Sequence, residues 1–184
     1  MARQRFDDTH LKDVEKAVHE QITRPEIAAR VHSGMKIAIG AGSRGIANIG
    51  IAVRATVQAL RDLGAKPFVF PAMGSHGGAT SEGQQAVLAG YDITEESVGA
   101  PIRATMDTVL IGEMEDGTPV HMDRYAHEAD GVVLINRIKP HTSFRGPIES
   151  GVVKMMVIGM GKIQGATHMH AHGMDLFPDV LPRV

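Results

Sequence analysis

The chain has 184 residues, 43% of them hydrophobic, which is enough for one domain with its own core and ordinary for a globular protein. Aromatics make up only 4%, Trp is absent, and the net charge is -2 with no block of Lys or Arg, so neither a base-stacking nor a phosphate-backbone surface is expected and no nucleic-acid partner is read. The absence of Cys excludes disulfides and thiolate metal ligands. No run reaches the roughly 18 apolar residues of a membrane span, and the N-terminus is too polar for a signal peptide, so the reading is a cytoplasmic protein with no membrane partner.

Along the chain, Leu11, Val14, Val18 and Ile22 fall near helical spacing and predict a helix over 10–22, with His10 and His19 on its polar side. Pro25 suits the first turn of a second helix that Gly34 ends. Met35 to Ile39 is a short apolar strand, followed by the loop GAGSRGIANIG and a helix with Ile51, Val57, Leu60 and Leu63 on its apolar side and Gly64 as its stop. A strand, a glycine loop and a helix form the anion-binding arrangement of α/β folds, because a helix N-terminus offers free N–H groups. The loop is neither GxGxxG nor a P-loop, so no dinucleotide or NTP site follows. Arg44 in this loop is either a fork for a carboxylate or phosphate, or an exposed turn residue.

The pattern repeats at Pro67 to Pro71, then AMGSHGGATSEGQQAVLAGY, with Thr80 or Ser81 as helix cap and His76 at the loop's centre. Ligands in parallel α/β sheets sit beyond the carboxyl ends of strands, where His76 is placed; the alternative is a His that caps a turn. Thr108 to Met114 and Pro119 to Met122 read as strands about an Asp116-Gly117 turn, with His121 structural or exposed. DRYAHEAD is a short helix with His127 on the surface, and Val132 to Ile135 is a buried strand. The fold class is therefore α/β, a three-layer domain with a mainly parallel sheet and glycine-rich strand-to-helix loops. Its sheet is expected from the strands near 35–39, 67–71, 108–114 and 131–136.

The organising stretch runs from Asn136 to Gly173 and carries four of the ten histidines. His141 follows Pro140 at the exit of the buried strand, so it should face the same side as Arg44 and His76, and two imidazoles in one pocket can pair as acid and base. Lys154 lies among Val, Met and Ile, where desolvation lowers its pKa and favours covalent chemistry. In HMHAH, His168, His170 and His172 diverge on a helix, so at most one or two of them can bind a metal together.

The motifs GSRGIANI, PAMGSHGGAT, NRIKPHTSFRGPIESGVVKM and IGMGKxxGA resemble the nickel-pincer lactate racemase family, in its broad set of lactate-racemase-like homologues. The resemblance runs from about Met35 to Val184. It implies a nickel-pincer nucleotide, the nickel complex of pyridinium-3,5-bisthiocarboxylic acid mononucleotide, built by cofactor maturation enzymes. It implies Lys154 as the covalent tether, His170 as the nickel ligand, His76 and His141 as the acid/base pair, and Arg44 beside a small 2-hydroxy acid substrate. The implied reaction is racemisation or epimerisation by hydride transfer. Ala41 stands where lactate-specific members carry an acid, and GPIESGVVK replaces their glycine-rich run; both point away from lactate itself. Family members carry a second domain, so residues 1–184 are read as the catalytic N-terminal domain without its C-terminal partner, inactive alone and with an open cleft. LPRV reads as a chain end in mid-helix. Two other readings stand beside this one. The first is a non-catalytic anion- or nucleotide-binding module on the same scaffold. The second is a zinc hydrolase using the terminal histidines and Glu149.

Overall fold

A computed structural model describes residues 9–184 apart from 142, 144, 147, 174 and 175. Asp13 caps α1 (Val14–Ile22) by accepting a hydrogen bond from the Lys16 amide at 2.9 Å. The helix therefore starts after Leu11, which is exposed rather than on an apolar face. Pairs from Glu15 to Arg54 and from His19 to Asp62 hold α1 to the body, and Ile22 touches the core. Pro25 opens the single turn α2 (Pro25–Ala28), which stops well short of Gly34. β1 (Lys36–Ala41) leads through a glycine loop to α3 (Ile49–Asp62), and β2 (Lys66–Pro71) leads through a second such loop to α4 (Ser81–Ala89). The single turn α5 (Glu95–Val98), β3 (Thr108–Glu113), β4 (Pro119–Asp123), α6 (Arg124–His127) and β5 (Gly131–Ile135) follow. The chain continues with α7 (Val152–Lys154), a π-helical turn at Met155–Gly159, α8 (Lys162–Ala171) and α9 (Phe177–Val180).

β1 pairs in parallel with β2 and with β5, in the order β2-β1-β5, with Ile39 opposite both Val69 and Val133. Such a sheet needs both faces covered. On one face Ile37, Ile39 and Ala41 meet Val53, Val57 and Leu60 of α3 and Leu88 of α4. On the other, Ala38, Phe68 and Phe70 meet Ala126, Met155 and Met160. The result is a three-layer α/β domain with glycine-rich strand-to-helix loops after β1 and β2. No helix among the described residues is long and apolar enough to cross a membrane.

Two expectations are corrected. The strand over 108–114 is not part of the parallel sheet: β3 pairs antiparallel with β4 in a separate two-stranded hairpin, around Gly117 at φ +81°. The tight Asp116-Gly117 turn allows only antiparallel pairing, and Leu110 and Ile111 are half exposed, unlike residues of a parallel strand covered on both faces. In α3 the buried stripe is Ile49, Val53, Val57 and Leu60. Ile51 stands about 200° around the helix from Ile49 at 100° per residue, and it faces solvent.

The loop after β2 is pressed onto α4. Thr80 caps that helix, accepting from the Gly83 amide at 3.0 Å, and a Cβ on Gly83 would lie 1.8 Å from the Gly77 carbonyl oxygen. Gly83→Ala is therefore expected to lower stability by about 1–3 kcal/mol, the usual cost of overpacking. Gly112→Ala, which meets nothing within 4 Å, should change it by about 0.5 kcal/mol or less. Urea unfolding of the two variants side by side checks this.

Candidate functional site

Because β1, β2 and β5 run parallel and end together, their three exit loops converge, which is where ligands bind in open α/β sheets. Arg44 comes from the loop after β1, His76 from the loop after β2, and His141 from the loop after β5. Lys154 comes from the last residue of α7, at the head of the π-helical turn. All four line one cleft of about 460 Å³, with Arg137 and Lys139 beside them and no carboxylate among the described residues of the lining.

Partial burial and this cationic lining together set the protonation of the site. The His76 pKa lies below the ordinary imidazole value, first because the ring is partly desolvated, then because of the Arg44 and Lys154 charges. His141 is lowered by burial, then by Lys154 and Lys139, with Glu149 opposing. Both rings are therefore neutral at pH 7. Lys154 is lowered by burial and by the charges of Lys139 and Arg44, which raises the fraction of free amine.

The two imidazoles are oriented differently. His76 Nδ1 and Ser43 Oγ are hydrogen-bonded at 2.5 Å, and Ser43 is held in turn by the Tyr91 hydroxyl, which donates to its carbonyl at 2.9 Å. A hydroxyl can donate or accept, so this partner suits either tautomer of His76. His141 Nδ1 accepts from the Ser143 amide at 3.1 Å, which leaves the proton of the neutral ring on Nε2. Glu149 braces this loop. It accepts from the His141 amide at 2.8 Å and the Gly146 amide at 3.3 Å and pairs with Arg145 at 3.5 Å, and its pKa is lowered chiefly by the His141 amide.

His170 is not brought to the cleft lining. It lies on α8, with Nδ1 donating to the Ala166 carbonyl at 2.5 Å and its ring 5.2 Å from that of Phe177. Its neighbours diverge as helix geometry requires. His168 stacks on His121 at 5.4 Å, and His172 Nε2 bonds the Thr118 hydroxyl at 2.9 Å. Among the described residues no three His, Asp or Glu side chains gather as a ligand set, so the zinc-hydrolase reading lacks its site. Ser43 and Glu149 in these orienting roles were missed from sequence. A hydroxyl in a glycine loop gives no signal of its own, and Glu149 is eight residues from the histidine whose amide it binds.

Residues 3–177 match the family described as the lactate racemase N-terminal domain. The chain belongs to that family. No curated protein matches it. Membership makes it a lactate-racemase-like domain, with racemase and isomerase chemistry as the family's setting.

The cleft's electrostatics predict a selective response. Lys154→Met should raise the pKa of both His76 and His141, because its charge lowers each, whereas Arg44→Met should raise only His76. Long-range 1H–15N NMR titration of the histidine rings reads both shifts.

Proposed function

We propose that this domain supplies the acid/base and anchoring groups of a racemase or epimerase acting on a 2-hydroxy acid, with a nickel-pincer nucleotide as cofactor. The observation that carries the reading is the sharing of one cleft by two neutral imidazoles, a guanidinium and a half-buried amine, without a carboxylate among the described residues of the lining. Arg44 makes no ion pair among the described residues and is available for a substrate carboxylate, which a guanidinium grips through two parallel hydrogen bonds. One imidazole takes the proton of the 2-hydroxyl and the other returns a proton to the product; the substrate's hand decides which does which.

Two residues carry the chemistry that the cofactor needs. Lys154 offers the tether, an accessible amine of lowered pKa. His170 offers a nickel ligand, because its Nδ1 bond to Ala166 leaves the Nε2 lone pair for a metal. When bound, the nickel-pincer nucleotide supplies the hydride acceptor for the substrate's C2–H. Cofactor maturation enzymes are then the partners this reading requires. A second reading, a module that binds a small anion without chemistry, is favoured by the cationic lining together with the position of His170 away from it.

Co-expression of the protein with cofactor maturation enzymes separates the two. The racemase reading expects an intact-mass adduct that Lys154→Ala and Lys154→Arg both abolish, together with bound nickel and interconversion of 2-hydroxy acid enantiomers on chiral chromatography. His76→Ala and His141→Ala should each slow interconversion about 10²-fold or more, the usual scale for losing a general acid or base, while keeping adduct and nickel. Unmodified protein that racemises without nickel would overturn this reading. Anion binding with no adduct and no turnover would establish the second.

A further inference from the structure

The lysine of the IGMGKxxGA motif has no part in the proposed chemistry, yet it is the most deeply committed cation among the described residues. Lys162 is 0% exposed, and its backbone is held at φ +53°, a left-handed conformation that favours glycine. Its Nζ donates to the Pro71 carbonyl at 2.5 Å and to Gln84 Oε1 at 3.0 Å, and lies 3.0 Å from Asp123 Oδ2 as an ion pair. Asp123 is also 0% exposed, and its other carboxylate oxygen caps α6 by accepting from the Ala126 amide. Three acceptors around one nitrogen call for the ammonium form, and a carboxylate that accepts from an amide calls for the charged form, so the two groups are buried as an ion pair.

The consequence for the cleft runs through Gln84, which is itself 0% exposed. Lys162 fixes its oxygen, so its amide hydrogens point the other way. They donate to the Gly74 carbonyl at 2.8 Å and the His76 carbonyl at 3.2 Å. On the same loop the Gly74 amide donates to the Gly159 carbonyl at 3.1 Å, in the π-helical turn that follows Lys154. One buried ammonium thus joins the end of β2, the end of β4, α4 and, through a single amide, the backbone that carries His76. We propose that Lys162 is a positioning residue for His76, acting through Gln84 on the Gly74–His76 loop. The proposal rests on His76 being a working acid/base group, but the link itself is testable without cofactor or substrate.

The test follows both histidine rings by 1H–15N NMR titration of the whole chain. Gln84→Met removes the amide that grips the two carbonyls and leaves the ion pair. The double variant Lys162→Met with Asp123→Asn removes the ion pair without stranding one buried charge. In each variant that retains a cooperative thermal transition, His76 is expected to titrate closer to the ordinary imidazole value than in the parent, with its Ser43-dependent ring shifts changed and His141 unmoved. In the cofactor-loaded enzyme the same variants should lower kcat by about 10²-fold with little change in KM, the scale of a small misplacement of a reacting group. An unmoved His76 in folded Gln84→Met overturns the proposal, and so does an equal movement of His76 and His141, which would report general loosening. If the double variant does not fold, Gln84→Met alone decides. Should the racemase reading fail, the NMR shifts are still expected, so the two failures are distinguishable.

Discussion

A parallel sheet of three strands must be covered on both faces, and that requirement organises the molecule. β1 lies between β2 and β5, with Ala38 and Ile39 each 0% exposed on opposite faces. α3 and α4 close one face, and α6 with the methionines around the π-helical turn closes the other. Parallel pairing also brings the three carboxyl ends to one edge. Side chains some 65 and 97 positions apart in sequence, such as His76 with His141 and Arg44 with His141, become neighbours through strand direction alone.

The cleft and the layer beneath it handle charge in opposite ways. Arg44, Arg137, Lys139 and Lys154 face a solvent-accessible space with no acid among the described residues of its lining; partial burial first, and then the charges of Arg44, Lys139 and Lys154, keep the histidines neutral and weaken the hold of Lys154 on its proton. Such an arrangement is tolerated because water screens it, and it is relieved by an anion. Beneath, Lys162 is 0% exposed to solvent, so it persists only with an acid and two further acceptors around it. Two lysines eight residues apart therefore differ in kind: one amine is open to chemistry and the other is committed to structure.

Orientation of the histidines is shared among weak, local devices. A hydroxyl holds the His76 ring, a backbone amide fixes the tautomer of His141, and a carboxylate braces the loop that carries it. None is a strong interaction by itself, but each removes a degree of freedom from a group whose value depends on direction. The π-helical turn contributes in the same way, since it seats Gly159 so tightly under the Ala72 carbonyl that a Cβ there would lie 2.6 Å from it.

Local pattern alone determined the alternation of apolar runs with glycine loops, and with it the α/β class and the three strands of the parallel sheet. It also determined that Arg44, His76 and His141 would leave those strands on one side, because parallel strands share one direction. The desolvation of Lys154 was legible from its Val and Met neighbours. What pattern could not decide was burial that depends on distant segments. The strand over 108–114 read as part of the parallel sheet, yet Leu110 and Ile111 stand half exposed in a separate hairpin; Ile51 read as the apolar face of α3, yet the sheet meets the helix one stripe away. The separate partners of His168 and His172, the grip of Ser43 on His76, and the meeting of Lys162 with Gln84 and Asp123 are contacts between remote positions. A polar residue in an apolar stretch announces only that it needs a partner, and the tertiary fold alone brings that partner within hydrogen-bonding distance.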